Sequence, residues 1–145
     1  KYIEQISNIL LKGHDHLVDL NYDYLIFGLS SLGIKTKVVK ASSFEFQGAK
    51  SNLVLDMCLQ LKANVYIFGE QGRNYADKES FNRNSVYPFF QSYNHPTYFQ
   101  MNKIFEPCMS FLDLLFNNGD ESLQIIMSEN IAKPDIIQAY KKFNI

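Results

Sequence analysis

The stretch 95–119 constrains this chain more than any other part of its sequence. It begins as an irregular segment with two prolines and continues into a short apolar helix. Three polar residues occur in that helix at spacings of three and four: Ser110, Asp113 and Asn117. This spacing places them on one helical face. Such side chains either brace the fold or line a site, and the residues alone leave both interpretations open.

Composition indicates a globular domain that does not bind nucleic acid. Hydrophobic residues make up 46% and aromatic residues 14% of the chain, too much for a disordered segment. The 145 residues fit a single domain, 1–145. The net charge is −1, and no run of like charges is present, so the chain lacks the basic stripe of a nucleic-acid-binding protein.

The sequence also predicts a cytoplasmic protein without a metal site, a cofactor or a membrane span. No apolar run approaches the roughly 20 residues that cross a bilayer. Cys58 and Cys108 occur in apolar contexts, so we expect two buried, free thiols in a reducing compartment. His14 and His16 have no third ligand nearby, which is more typical of solvated loop residues than of metal ligands.

The order of elements predicts an α/β fold, a small three-layer-like domain with a short, largely parallel sheet. The alternating segment 34–40, the apolar helix 49–62 and the strand 64–69 predict a right-handed βαβ core. A third strand is expected within 86–93. Helices flank this core at both termini: 2–12, a second helix capped by Asp15 and running to about Leu32, 109–117, 121–128, and one starting at Pro134. The chain enters its first helix at once, so we expect a fragment or a processed piece.

The loop after the second predicted strand is the best candidate for binding an anion. Gly69 and Gly72 would let a phosphate approach the backbone where a strand feeds a helix, Arg73 would add a charge, and Tyr75 follows. Two glycines in such a turn are also common for steric reasons alone. The spacing favours the steric explanation.

Several motifs together resemble the WbqC-like family. The most specific are His95-Pro96-x-Tyr98-x-Gln100 and Phe105-x-Pro107-x-x-Ser110-x-x-Asp113-Leu114-Leu115-Phe116-Asn117-x-Gly119. Others precede them in the family's order: Leu32-Gly33-Ile34-Lys35-Thr36, Ser42-Ser43, and Tyr66-x-x-Gly69-x-x-Gly72-x-x-Tyr75. The resemblance covers about residues 20 to 128. The chain lacks the His-Gln-Pro-type segment of that family's N-terminal portion, so it resembles the C-terminal part of a larger WbqC-like domain.

The resemblance implies bacterial surface-polysaccharide biosynthesis, of O-antigen or capsule. It implies acyl or aminoacyl transfer, such as glycyl transfer, to a nucleotide-linked amino sugar. For such a reaction His95 is the candidate base, and Asp113 could either orient that base or bind the sugar hydroxyls. The candidate substrate-binding residues are Gly69, Gly72, Arg73, Tyr75, Tyr98, Gln100, Ser110 and Asn117.

Structural roles explain the same residues without catalysis. A histidine before proline is often a packed turn residue, and Asp113 and Asn117 could satisfy buried backbone groups. Ser110 is most simply an N-terminal residue of the helix or its cap. The chain would then be a non-catalytic module that binds glycan or protein, or a subunit of a polysaccharide biosynthesis complex. Under either function it could also form a homo-oligomer. Whether it is an enzyme stays open at this point.

Overall fold

The computed structural model describes residues 2–102 and 104–143. Its helices and strands in chain order are α1 (Tyr2–Leu11), α2 (Leu17–Ser31), α3 (Lys50–Gln60), β1 (Val65–Phe68), α4 (Lys78–Arg83), β2 (Tyr87–Phe90), α5 (Phe111–Asn118), α6 (Ser122–Met127) and α7 (Lys133–Phe143). Short 3₁₀ turns occur at Ala41–Ser43, Glu70–Asn74 and Gly119–Glu121. In this described part of the chain, no helix combines the length and the apolar character that crossing a membrane requires.

The chain divides into two compact units, each built from two separate stretches. The described residues of the first unit are 2–37, 95–102 and 104–128, and those of the second are 38–94 and 129–143. The expectation that residues 1–145 form a single domain stays a prediction.

The second unit contains a two-stranded parallel sheet. β1 and β2 pair along their whole length, with Val65 opposite Tyr87 and Phe68 opposite Phe90. The continuous apolar run of β1 suits this position because its side chains meet a core. The core is formed by Leu55, Cys58, Phe68, Phe81 and Val86. The α/β class with a short parallel sheet flanked by helices is thereby confirmed.

The predicted βαβ core is wrong in its choice of strands. Residues 34–40 form no strand in the described structure, and the parallel partner of β1 is β2, which follows it in the chain. The described residues thus contain two strands instead of the three expected. The alternation in 34–40 is a genuine strand pattern, but a strand also needs a partner, and no described residue supplies one.

The described residues of the first unit contain four α-helices: α1, α2, α5 and α6. α1 and α2 meet at a turn with Gly13 at φ 73°, and Lys12 Nζ and His14 Nε2 lie 2.6 and 3.0 Å from Asp23 Oδ2. Hydrogen bonds from Lys12 and His14 hold the pKa of the Asp23 carboxyl below its usual range. The cap of α2 is His16, without a side-chain hydrogen bond, so the expected Asp15 cap is wrong.

The core of the first unit joins α2 to α5. Phe27, Leu114 and Leu115 are its buried hydrophobic residues. The Phe27 and Phe111 rings are 6.4 Å apart, and a Cβ at Gly28 would lie 3.0 Å from Phe111 Cζ. Gly28 therefore lets α5 approach α2 closely.

The two cysteines lie in different environments, contrary to the expectation that both are buried. Cys58 is 3% exposed, and burial raises the pKa of its thiol. Cys108 is exposed, in a turn where its φ is 60°. The apolar residues near Cys108 in the sequence misled the prediction because most of them are exposed as well.

This difference predicts selective thiol labelling. We expect an alkylating reagent at pH 8 to modify Cys108 on the order of 100-fold faster than Cys58, because the thiolate is the reactive form and Cys58 must first be exposed by opening of the fold. Mass spectrometry should count one label in the native protein and two in urea. A Cys108→Ser variant should take none under native conditions, and rapid double labelling of the native chain would contradict the buried position of Cys58.

Candidate functional site

The carboxyl ends of the two parallel strands form the first candidate site, in the second unit. β1 ends at Phe68 and β2 at Phe90, and these two residues are paired. Their rings stack at 5.1 Å with planes 14° apart. In parallel sheets this edge is where ligands ordinarily bind, because the loops that leave the strands converge there.

Close packing explains why residue 72 is a glycine. A Cβ at this position would lie 2.6 Å from Phe68 Cβ and 2.8 Å from Phe68 Cδ1, closer than any side chain tolerates. A Cβ at Gly69 would meet nothing within 4 Å. The steric reason for a glycine therefore applies to Gly72, whereas Gly69 has open space beside it.

The segment after Gly69 is a 3₁₀ turn, Glu70–Asn74, and not the first turn of an α-helix. The helix that follows, α4, is capped by Asp77, whose carboxylate accepts hydrogen bonds from Ser80 N at 3.1 Å and Ser80 Oγ at 2.7 Å. These bonds hold the pKa of the Asp77 carboxyl below its usual range. No α-helix begins at Gly69, so the helix N-terminus that was expected to bind an anion there is absent. The N-terminus of α4 is already capped by the Asp77 side chain.

Two cations converge on the Phe90 ring instead. Arg73 Cζ lies 4.9 Å and Lys78 Nζ 5.0 Å from the ring centroid, while Phe68 stacks on the same ring. Within 2–102 and 104–143, neither Arg73 nor Lys78 forms a salt bridge. Two like charges at one ring repel each other, so this arrangement favours an anion that neutralises both.

Lys78 is the residue that the sequence analysis missed. It and Arg73 are brought together by Phe90, which lies in a different strand, so no local spacing marked the pair. Tyr75, which the sequence did single out, is 52% exposed and meets the Phe68 ring edge-on at 6.0 Å. The predicted residues Gly72 and Arg73 lie in the 3₁₀ turn, and Gly69 and Tyr75 flank it on either side.

The remaining predicted residues lie in the first unit and contact one another directly. Tyr98 Oη donates a hydrogen bond of 2.8 Å to Asp113 Oδ2, and Gln100 Nε2 lies 2.9 Å from the same oxygen. Asn117 Nδ2 donates to the other oxygen, Asp113 Oδ1, at 3.1 Å. The Asp113 carboxylate is thus an acceptor for three side chains of the predicted set.

Gln100 clamps the loop that precedes α5. Its Nε2 donates to Glu106 O at 3.0 Å, and its Oε1 accepts from Glu106 N at 2.8 Å. The side chain is buried, with 9% of its surface exposed. One amide side chain therefore satisfies both backbone groups of Glu106, as a paired strand would.

Asn117 and Ser110 fix the two ends of α5. Asn117 Oδ1 accepts from Met101 N at 3.0 Å, which ties the loop to the C-terminal part of the helix. Ser110 is the N-cap residue just before α5, so it lies outside the helix in which the sequence placed it with Asp113 and Asn117, and its carbonyl oxygen accepts from Asp113 N at 3.0 Å. Its side chain makes no cap hydrogen bond.

Both ring nitrogens of His95 are engaged by backbone groups. Nε2 accepts a hydrogen bond from Cys108 N at 3.0 Å, so the proton of the neutral ring resides on Nδ1, which donates to Pro96 O at 2.9 Å. The ring also packs near Tyr98 and Phe105, at 6.2 and 6.0 Å between centroids. These contacts give His95 a structural role in the loop.

The structure therefore brings the predicted residues together as two groups. His95, Tyr98, Gln100, Asp113 and Asn117 form a network that braces the loop residues 95–102 and 104–110, with Ser110 at its edge. This supports the bracing alternative for the helix face. The hypothesis that both groups line one pocket stays a prediction.

Among the described residues, no cluster of three or more His, Cys, Asp or Glu side chains is arranged to hold a metal ion.

Comparison with known proteins places the chain in a family. It is 34% identical over 110 residues to the uncharacterized protein Rv1507c of Mycobacterium tuberculosis (strain ATCC 25618 / H37Rv), a match that covers 75% of the chain and 48% of that relative. The chain therefore spans about half the length of this relative. No solved structure shows significant similarity to this chain. Residues 1–125 match the WbqC-like protein family, and the chain belongs to that family.

Proposed function

We propose that this chain forms the nucleotide-sugar-binding part of an enzyme of bacterial surface-polysaccharide biosynthesis. The reaction is the transfer of an acyl or aminoacyl group to the amino group of a nucleotide-linked amino sugar. The observation that carries the proposal is the pair of cations, Arg73 and Lys78, over the Phe90 ring at the carboxyl end of the parallel strands.

A diphosphate suits this position. Its negative charge would balance the two positive charges, neither of which is in a salt bridge among the described residues. Arg can also bond phosphate through two N–H groups at once. Tyr75 and Tyr93 are about half exposed in the same unit and could stack on a base or a sugar ring. Gly69 leaves room for a close approach to the backbone.

The proposed roles of His95 and Asp113 follow from the reaction. The sugar amine attacks the acyl carbonyl, a C–N bond forms, the donor's leaving group departs, and the proton lost by the amine needs an acceptor. His95 Nε2 can take it only by giving up its bond from Cys108 N. Asp113 would orient the substrate only by exchanging one of its three side-chain donors.

A thermal-shift screen with dTDP-, UDP- and GDP-linked amino sugars tests the binding step. At ten times Kd, a ligand that binds only the folded state adds about 1.4 kcal/mol and raises Tm by about 3–6 °C. We expect one nucleotide series to do so for the unmodified chain. The Arg73→Gln/Lys78→Gln double variant should lose most of that rise, because it leaves the diphosphate without a counter-charge.

Lys141→Gln/Lys142→Gln is the matched control, since it also removes two cations, both exposed, near the opposite end of β2. These lysines precede Phe143, whose ring lies 5.0 Å from Tyr87, the first residue of that strand. The control should keep the full ligand-induced rise. An equal loss in both variants would show a general charge effect, and a full rise in the double variant would refute the site.

The second candidate is a non-catalytic module that binds a glycan or a protein. It is favoured by the network in the first unit, where the polar side chains proposed for catalysis bond one another and the loop backbone. Stabilisation by an oligosaccharide without a nucleotide, together with none by nucleotide sugars, would favour this candidate.

A further inference from the structure

Asn118 and Gly119 form the one Asn-Gly pair in the sequence. Asparagine is a thermolabile residue because the backbone nitrogen of the following residue can attack its side-chain amide. Glycine hinders this attack least, since it has no Cβ and its backbone is conformationally free. The asparagine with the next smallest following residue is Asn84, which precedes Ser85. Asn118 is therefore the most reactive asparagine of the unfolded chain.

The reaction at such a pair replaces the side-chain nitrogen with an oxygen from water. The Gly119 nitrogen loses its proton and bonds to Asn118 Cγ, the Cγ–Nδ2 bond breaks, and Nδ2 leaves as ammonia with that proton. Water then opens the cyclic imide. Opening at Cγ gives aspartate, and opening at the backbone carbonyl carbon gives isoaspartate, in which the main chain runs through the former side chain.

The folded structure keeps the two reacting groups apart. Asn118 is the last residue of α5, with φ −126° and ψ −6°. Ring closure requires the Cα–Cβ and C–N bonds of Asn118 to eclipse, and at this ψ they do not. The Gly119 N–H donates to Leu115 O. Asn118 Nδ2 donates to Phe99 O at 3.1 Å and to Leu114 O at 3.3 Å. Attack therefore requires the end of α5 to open.

The Asn118 amide also holds the segment 98–101 against α5. It binds the carbonyl oxygen of Phe99, and Met101 N donates to the neighbouring Asn117 Oδ1 at 3.0 Å. A carboxylate has no proton to donate, so after deamidation the carbonyl oxygens of Phe99 and Leu114 would face a negative charge instead of a donor. The product therefore repels the backbone group that the amide bound.

We propose that Asn118 is a modification site, at which opening of the end of α5 allows deamidation, and that the modified residue releases the segment 98–101 from the helix. Water does not restore the amide, so molecules that open often accumulate the product. Tyr98 and Gln100 lie in the released segment, and both bond Asp113 Oδ2. The modification thus weakens the network around Asp113.

Incubation at pH 8, in buffer and in urea, tests the site and its protection by folding. Mass spectrometry of peptides locates the deamidated residue, and a protein isoaspartyl methyltransferase with labelled S-adenosylmethionine counts isoaspartate. In urea we expect Asn118 to react roughly tenfold faster than Asn84, because of its glycine neighbour. In the folded chain Asn118 should react on the order of 100-fold more slowly than in urea, because it reacts only while the helix end is open.

Asn118→Asp tests the release, since it places the carboxylate at this position directly. Its Met101 amide should exchange with solvent about fivefold faster than in the unmodified chain, which corresponds to the loss of one hydrogen bond. Asn84→Asp is the matched control. Asn84 also ends a helix, as the C-cap of α4, and its Nδ2 donates to Ser80 O at 2.8 Å. This variant adds the same charge and should leave the exchange of Met101 unchanged.

Three results would overturn the proposal. Faster deamidation of another asparagine in urea would remove Asn118 as the site. Equal rates for Asn118 in the folded and unfolded chain would show that opening of α5 does not limit the reaction. Exchange of Met101 that is the same in both variants would remove the release of the segment. The first two measurements use the unmodified chain, so they do not depend on how either variant folds.

Discussion

Gly72→Ala is expected to destabilise the protein by about 3 kcal/mol, because the added methyl group overpacks a core that cannot yield. The new Cβ would lie 2.6 Å from Phe68 Cβ, and Phe68 is 1% exposed and stacked on Phe90. Gly69→Ala should change the free energy of unfolding by no more than about 1 kcal/mol. Its φ of −68° suits alanine, and a Cβ there meets nothing within 4 Å. Urea unfolding of both variants measures the difference.

The same pair of variants separates packing from binding. If the Gly69 backbone contacts a phosphate, Gly69→Ala should weaken the thermal shift by a nucleotide sugar while leaving the stability of the free protein unchanged. Equal stabilities for the two variants would show that Gly72 does not press on Phe68 in solution. That outcome would also reopen a ligand-binding role for Gly72.

Asp113→Ala is expected to destabilise the protein by about 3 kcal/mol. The carboxylate accepts bonds from Tyr98 Oη, Gln100 Nε2 and Asn117 Nδ2, and a hydrogen bond to a charged group contributes about 1.5–3 kcal/mol, with less than full additivity within one network. Tyr98→Phe removes only one of these donors and should cost about 1 kcal/mol. We also expect faster proteolysis of the loop 95–110. Urea unfolding and limited proteolysis measure both effects.

Asp120→Ala is the matched control, because Asp120 is an exposed carboxylate close to the end of α5. Its removal should change the free energy of unfolding by about 0.5 kcal/mol or less. The double variant Tyr98→Phe/Asp113→Ala should be less destabilised than the sum of the single variants, since the two residues share a bond. An Asp113→Ala protein as stable as the original would remove the bracing role and leave ligand binding as the reason for this carboxylate.

The sequence by itself determined the features that depend on local pattern. The stops at Gly13 and Gly119, the apolar run of β1 and the polar face of α5 each arise from residues within a few positions of one another. The order of the family's motifs is likewise a property of the chain, and the match over residues 1–125 confirms the family that they indicated.

Only the tertiary structure decided which groups meet across distant segments. It pairs β1 with β2 and, among the residues that the structure describes, gives the predicted strand 34–40 no strand partner, because a strand needs a partner as well as a pattern. It brings Lys78 to Arg73 through Phe90, and it engages both nitrogens of His95 with backbone groups of Pro96 and Cys108. Such contacts depend on how separate segments pack, and local spacing along the chain does not encode them.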